Sequence, residues 1–310
     1  MVNRRGAPVK ATPRQLPDIG RSRLDLERTQ TGRTTTGPVN GSARSLLTTI
    51  LGFFVLPLSE PVWASALTRA LAAVSVDPAA ARQALARGAR DGWIESCRIG
   101  RRATWSVTPG GRAALDAGVS YVLRFAARTD TWDGRWLMLI INLPSSDYRV
   151  RRRLQWAGFG QLSAGTWLSP RADREAEVIS LLDELGLGDG ACTLIARSGA
   201  LGDSQRLVRQ AWDLHSLAQE YQQFIEDTAL RDSKQDDPFA RQVLLLNSWR
   251  RLTLRDPGLP HAGLPADWAG HGAARMFLER FHEQQPAAEA AWRRILSESE
   301  AQGEKKNQLN

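Results

Sequence analysis

The residues in this 310-residue chain whose types and spacing could do chemistry are Arg82, Gln83, Arg87 and Arg90, at helical intervals, with Arg98, Arg101 and Arg102 close behind. That chemistry is recognition. A guanidinium presents a planar fork of donors and a carboxamide presents donors beside an acceptor, and both fit a phosphate or the edge of a base. The competing account of the group is a solvated charged face, and any one arginine can hold phosphate instead of reading a base. Charge distribution favours an anionic partner. Residues 1–125 carry 18 Lys or Arg against 8 Asp or Glu, whereas residues 126–310 carry 23 against 25, so the net charge of +8 lies in the front of the chain. A basic surface of this kind raises encounter rates with nucleic acid, although it also supports solubility.

These side chains need elements to hold them. Ser42 is a cap for a helix from Ala43 to about Val55, where Leu46, Leu47, Ile50, Leu51 and Phe54 share one face and Pro57 stops the run. A second helix is expected from about Val62 to Ala73. The third starts at Asp77-Pro78, a cap followed by proline at the first helical position, and ends at Asp91-Gly92. Ala81, Ala84, Leu85 and Ala89 give it a packed side. The period then changes: Trp93–Cys97 reads as a strand, Gly100-Arg101-Arg102 as a turn and Ala103–Val107 as the returning strand. Trp93 and Trp105 alternate within these strands and read as packing anchors. Three helices followed by a basic-tipped hairpin define a winged helix-turn-helix over 41–109, in which the third helix enters a major groove and the hairpin touches backbone or minor groove. Residues 1–40, rich in Arg, Thr, Pro and Gly without an apolar period, are expected to be a disordered arm.

Behind this unit, 110–130 is expected to be a bridge helix and linker. Over 131–203 strand and helix patterns alternate: an apolar strand Arg135–Asn142, a helix Arg149–Trp156 broken at Gly158-Phe159-Gly160, a strand pair or bulged strand over Gln161–Leu168, a helix Asp173–Leu185 and a strand Ala191–Ala196. Residues 204–300 are mainly helical, with helices over Ala211–Ala229 and Gln242–Leu254, a rigid loop at Arg255–Pro260, terminal helices from His271 to the early 290s, and a frayed tail over 301–310. The fold class is therefore multidomain α+β.

Catalysis has little to stand on. The chain holds neither a Gly-rich phosphate loop with its Lys-Ser/Thr ending nor a dinucleotide fingerprint, and its two cysteines, Cys97 and Cys192, with four dispersed histidines suggest no metal or disulfide framework. A metal-dependent nuclease is the enzymatic alternative, with Asp133 and Asp147 as isolated candidates. Yet the first body strand ends in Asn142 and not in a metal-binding aspartate, and turn and cap roles account for both acids. The longest apolar runs are too short to span a bilayer and the N-terminus does not read as a secretory leader, so a cytoplasmic location is expected.

The order of landmarks resembles the phenylacetate-degradation operon repressor family, the PaaX family. The front is similar in Ala43–Gly52 and Ala84–Trp93, the middle in Trp132–Trp136, Leu154–Gly160 and Gly165–Pro170, and the tail in Trp249-Arg250-Arg251, Arg255–Pro260 and Leu264–Gly270. The resemblance implies a dimeric, non-enzymatic transcriptional repressor with a central ferredoxin-like domain and a helical C-terminal domain. It also implies binding to double-stranded operator DNA and release by phenylacetyl-coenzyme A or a related acyl-coenzyme A, with no resident cofactor. The chain departs from the family in its long N-terminal arm, in the small residues Ala86 and Gly88 of the third helix, and in Leu246-Asn247-Ser248, where a histidine is more usual. A dimer also suits the limited area of one short helix and wing. An effector of this class needs cations for phosphates and apolar surface for the acyl group. Arg149, Arg151, Arg152 and Arg153 with Trp156 form one candidate set, and Trp249, Arg250 and Trp268 a second; a solvated helix face with aromatic anchors is the alternative for the first. A DNA-binding scaffold without a metabolite switch is the alternative for the whole protein.

Overall fold

A computed structural model describes residues 41–58, 60–127, 132–142, 147–201, 203–234 and 237–308, and the arm expected over 1–40 lies outside the described residues. Helix α1, Ala43–Ile50, is capped by Ser42, whose side chain accepts from the Ser45 N–H. It runs on through a wider π-helical turn at Leu51–Val55 and a 3-10 turn at Leu56–Leu58, where Pro57 has no N–H to continue the ladder. All five apolar residues of the expected face are buried. The second helix starts later than its period suggests: Val62–Trp63 forms a short strand, β1, and α2 spans Ala64–Ala73. Helix α3, Pro78–Arg90, is followed by β2, Ile94–Ile99, and β3, Arg102–Val107. The three strands form an antiparallel sheet in the order β1-β3-β2, so the hairpin is anchored from its inner side by the segment entering α2. Helix α4, Pro109–Ala127, leaves the hairpin against Trp93. A Cβ on Gly111 would lie 2.1 Å from the Trp93 carbonyl oxygen, a space that only glycine leaves open.

The middle of the chain runs β4 (Arg135–Ile141), α5 (Tyr148–Trp156), β5 (Gly160–Ser163), β6 (Thr166–Ser169), α6 (Glu175–Glu184) and β7 (Ala191–Arg197). The strands pair antiparallel in the order β5-β6-β4-β7, with a register shift between Gln161 and Ser163 in the β5–β6 hairpin. Alternation along the strands gives the sheet two faces. Leu137, Leu139, Ile141 and Trp167 meet Val150 and Leu154 of α5 and Val178, Leu181 and Leu182 of α6 in a separate core. Trp136 and Leu168 turn the other way and join the core of the helical regions.

The C-terminal region consists of α7 (Ser204–Ala211), α8 (Leu214–Lys234), α9 (Pro238–Arg255) and α10 (Ala269–Gln308). Helix α9 begins four residues before Gln242, because Asp237 caps it and Pro238 opens it, the same start signal as Asp77-Pro78. Helix α10 continues through Gln308 instead of stopping in the early 290s, with Pro286 inside it. Its second half is held by packing: Ala288, Ala291, Trp292 and Ser299 are buried, Trp292 stacks on Phe239 at 5.6 Å, and its indole N–H donates to the Phe54 carbonyl at 3.1 Å. One apolar core therefore joins the N-terminal helices to the C-terminal ones. The whole is a mixed α+β multidomain architecture with helical N- and C-terminal regions and two small sheets.

Candidate nucleic-acid interface

Asp77 fixes the start of α3 by accepting from the Ala79 and Ala80 N–H groups, both at 2.9 Å. Ala81, Ala84 and Leu85 face inward, which leaves Arg82, Gln83, Arg87 and Arg90 exposed on the opposite side. The small residues have a packing reason. A Cβ on Gly88 would lie 3.1 Å from Ile94 Cδ1, so glycine lets α3 approach the first strand of the hairpin. At the other end Asp91 pairs with Arg44 of α1 at 2.7 Å, which takes that acid away from Arg87 and Arg90.

The hairpin turns at Gly100, whose φ of 63° is unfavourable for other residues. Arg98 and Arg101 are exposed at its tip. Arg102 is not arranged like them. It opens β3, half-buried, with its guanidinium 3.7 Å above the Trp63 ring and a hydrogen bond donated to the Ser299 carbonyl of α10. Ile99, exposed between Arg98 and the turn, escaped the reading of the sequence because a single apolar residue in a charged hairpin reads as a strand position. Trp93 and Trp105 pack against the core as anchors.

The two groups of effector candidates lie in different surroundings. On α5, Arg149 is exposed, Arg152 lies 4.4 Å over the Trp156 ring, Arg151 donates to Gln161 at 3.1 Å and Arg153 pairs with Glu184 at 3.0 Å. Trp156 borders a narrow cleft with Leu137, Phe159, Arg171 and Arg174; its cavity of about 10 Å³ has room for one water. The Asp173 carboxylate, hydrogen-bonded to Arg171, raises the pKa of that arginine, and Arg174 is bonded to Glu177. Trp249, Arg250 and Trp268 are inside the protein. Trp249 stacks on Phe277 at 4.8 Å and donates to the Val122 carbonyl, and Trp268 packs edge-on to Tyr221.

Arg250 is 4% exposed and donates to Thr49 Oγ1, to Ser45 O and Oγ, and to Asn247 Oδ1, all neutral oxygens. Burial lowers its pKa to about 10. Asn247 also accepts from the Ser45 hydroxyl at 2.7 Å and the Thr49 hydroxyl at 3.2 Å, so the segment that departs from the family pattern ties α9 to α1.

The acids considered for a nuclease have structural work. Asp133 accepts from the Arg135 N–H and Nε, which holds its pKa below the ordinary carboxylate value, and Asp147 caps α5 by accepting from the Val150 N–H. Among the described residues, no three His, Cys, Asp or Glu side chains are grouped to hold a metal, and no helix is long and apolar enough to cross a membrane.

A charged helix face thus stands beside a basic hairpin. Comparison with known proteins supplies the class: residues 42–111 match the PaaX-like protein family, 129–208 the central Cas2-like domain of PaaX protein, and 212–294 the PaaX-like C-terminal domain. The chain is 30% identical over 265 residues to the transcriptional repressor PaaX of Escherichia coli (strain K12), across 81% of this chain and 82% of that protein. It belongs to the PaaX-like family of non-enzymatic transcriptional regulators. The fold is also similar to that of the uncharacterized protein Rv0674 from Mycobacterium tuberculosis, with a TM-score of 0.53 and 24% identity over 81% of this chain and 98% of that one.

Proposed function

We propose that this protein is a homodimeric transcriptional repressor of the cytoplasm, which binds double-stranded operator DNA through a winged helix-turn-helix over 41–109 and is released by an aryl-acyl-coenzyme A such as phenylacetyl-coenzyme A. The observation that carries the DNA-binding part is the outer face of α3: Arg82, Gln83, Arg87 and Arg90 are exposed together, and the nearby Asp91 is engaged by Arg44. Arg98 and Arg101 extend that cationic face onto the wing. In this reading α3 enters the major groove, and α4, within 110–130, carries the unit on the body.

The body over 131–203 is read as a ferredoxin-like domain, on the strength of its β-α-β-β-α-β path with β4 and β6 inside the sheet. Its surface supports the dimer. Ile140 and Leu194 are 42% and 47% exposed on the sheet face away from α5 and α6, beside the exposed Cys192, and β7 is an edge strand. The helical region over 204–300 braces both other parts. For the effector, the accessible members of the candidate set are Arg149, Arg152, Arg153 and Trp156 on α5, with Arg152 over the Trp156 ring and Trp156 at the edge of the cleft. That cleft must widen to take an acyl group, so the effector favours the state in which it is open.

The test is operator binding with and without a panel of acyl-coenzyme A compounds, using the intergenic DNA next to the gene. Binding by a dimer that one of the compounds reverses is expected. Unchanged affinity at saturating acyl-coenzyme A removes the inducer from the reading and leaves a DNA-binding scaffold. A monomer on intact operator at every concentration removes the dimer.

A further inference from the structure

We propose that Arg102 is a positioning residue: it fastens the wing, at the residue that follows its turn, to the last turns of α10, so the C-terminal helix sets the angle at which the wing meets DNA. The proposal rests on the DNA-binding reading above and deepens it. Three arginines stand within five positions of the hairpin, and their surroundings differ. Arg98 and Arg101 are exposed at the tip. Arg102 is flat on the Trp63 ring at 3.7 Å and donates to the Ser299 carbonyl, at a residue that is itself fully buried. A guanidinium held by a ring face and a charge-assisted hydrogen bond must give up both to reach a phosphate. Among the described residues, no such tie holds Arg98 or Arg101.

The tie is reinforced on either side. Trp63 belongs to β1, and it is registered against Thr104 of the same strand that Arg102 opens. Arg69 of α2 pairs with Glu298 at 2.5 Å, one residue before Ser299. Trp292 of α10 bonds to the Phe54 carbonyl and packs on Phe54, at the end of the first helix. Further back, α10 is rooted in the C-terminal core by Phe277, stacked on Trp249, and by Arg280, paired with Asp232 at 2.8 Å. From Phe277 to Ser299 the helix spans about 33 Å at 1.5 Å per residue. Pro286 lies between the two sets of contacts and removes one rung of the ladder, which is where such a helix bends. Any displacement of the last turns of α10 is passed to the wing through Arg102.

The experiment compares Arg102→Met, Trp63→Leu, Trp63→Phe and Arg101→Met in the full-length protein. The probe is a duplex that the wild-type protein selects from a random pool, and affinity is measured against salt concentration. Each arginine that neutralises a phosphate contributes about 0.9 to the slope of log affinity against log salt. Arg101→Met is expected to lower the slope by about that amount. Arg102→Met is expected to lose roughly tenfold in affinity with the slope unchanged, as a lost cation–π contact and hydrogen bond together imply. Trp63→Leu should reproduce this, the double variant should lose no more than either single one, and Trp63→Phe, which keeps a ring face, should restore most of it.

Hydrogen exchange of the β2–β3 amides, measured without DNA, should accelerate in Arg102→Met and Trp63→Leu and not in Arg101→Met. A fall in slope for Arg102→Met, or unchanged exchange in the hairpin, overturns the proposal. If Arg102→Met does not fold, the Trp63→Leu and Trp63→Phe pair decides by the same two readouts. If the wild-type protein selects no duplex, the DNA-binding reading fails, and the exchange data still decide whether Arg102 holds the hairpin.

Discussion

Helices α3 and α9 both open on Asp-Pro, both are capped by that aspartate, and both carry arginines, yet Arg82, Arg87 and Arg90 of α3 are exposed while Arg250 of α9 is buried. Helix α3 buries a narrow stripe of Ala81, Ala84 and Leu85 and shows Arg82, Arg87 and Arg90 to solvent. Helix α9 is buried on nearly every side from Phe239 to Leu254, and Arg250 goes inside with the rest. The difference is the width of the apolar face. A helix with one stripe packs on one neighbour and presents its opposite side. On a helix with a wide apolar face, a cation that falls on that face is enclosed and has to be solvated by protein oxygens, while Arg251 and Arg255 on the remaining strip of α9 stay exposed. An arginine is thus a candidate for a ligand only where it lies off the apolar face.

The comparison is tested most severely at Trp249. If α9 is the surrounded helix, Trp249→Ala costs about 3–5 kcal/mol of stability, the range for removing a large buried aromatic. Chemical denaturation measures this directly. A loss within the range of surface substitutions would place α9 on an open face and return Trp249 to the list of effector contacts. A second expected effect, of about 1–3 kcal/mol, is at Asn247. Replacing it by leucine removes the acceptor shared by Ser45, Thr49 and Arg250 and leaves buried donors without it. Denaturation of Asn247→Leu against Asn247→Asp, which keeps an acceptor and adds a charge facing Arg250, separates lost hydrogen bonding from lost shape.

Much of this was legible from residue order alone. The Asp77-Pro78 start, the face of α1, the hairpin and the β-α-β-β-α-β path follow from periods and caps that depend on nearby residues. What was not legible depends on contacts distant in sequence. Val62–Trp63 reads as the start of a helix until the pairing of Trp63 with Thr104, 41 positions on, draws it into a sheet. Arg102 reads like Arg98 and Arg101 until its hydrogen bond to Ser299, 197 positions on, sets its surroundings apart. Two signals were present and passed over. The spacing of Ala288, Ala291, Trp292 and Ser299 continues one helical face past the early 290s. The apolar run Val243–Leu246, followed by Trp249, Leu252 and Leu254, confines the polar side of the helix to the strip of Arg241, Ser248, Arg251 and Arg255, and Arg250 falls off that strip.

On the exposed side of the comparison, Arg87→Ala is expected to change stability by less than about 0.5 kcal/mol, because the side chain is exposed and no ion pair among the described residues holds it. In the proposed repressor its effect is on DNA binding. If Arg87 reads a base, its removal costs about 1–3 kcal/mol on the preferred duplex and relaxes discrimination at one position. A uniform loss across sequences with a smaller salt slope assigns it to phosphate. A stability loss of several kcal/mol without change in DNA affinity would place α3 with α9 and break the contrast.

A similarly small stability effect is expected on α5, which stands between the two extremes. Arg153 is half-buried and paired with Glu184 at 3.0 Å, with both side chains open to solvent, so Arg153→Gln costs about 0–1 kcal/mol. Such a cation is held weakly enough to be surrendered to a ligand phosphate, unlike Arg250, whose oxygens are all protein. In the proposed repressor, Arg153→Gln and Arg149→Gln therefore raise the acyl-coenzyme A concentration needed to release DNA while leaving unliganded operator affinity as it was. Operator release titrated with the same compound for each variant is the measurement. An unchanged midpoint in both assigns the arginines of α5 to the solvated surface and moves the effector away from the Trp156 cleft.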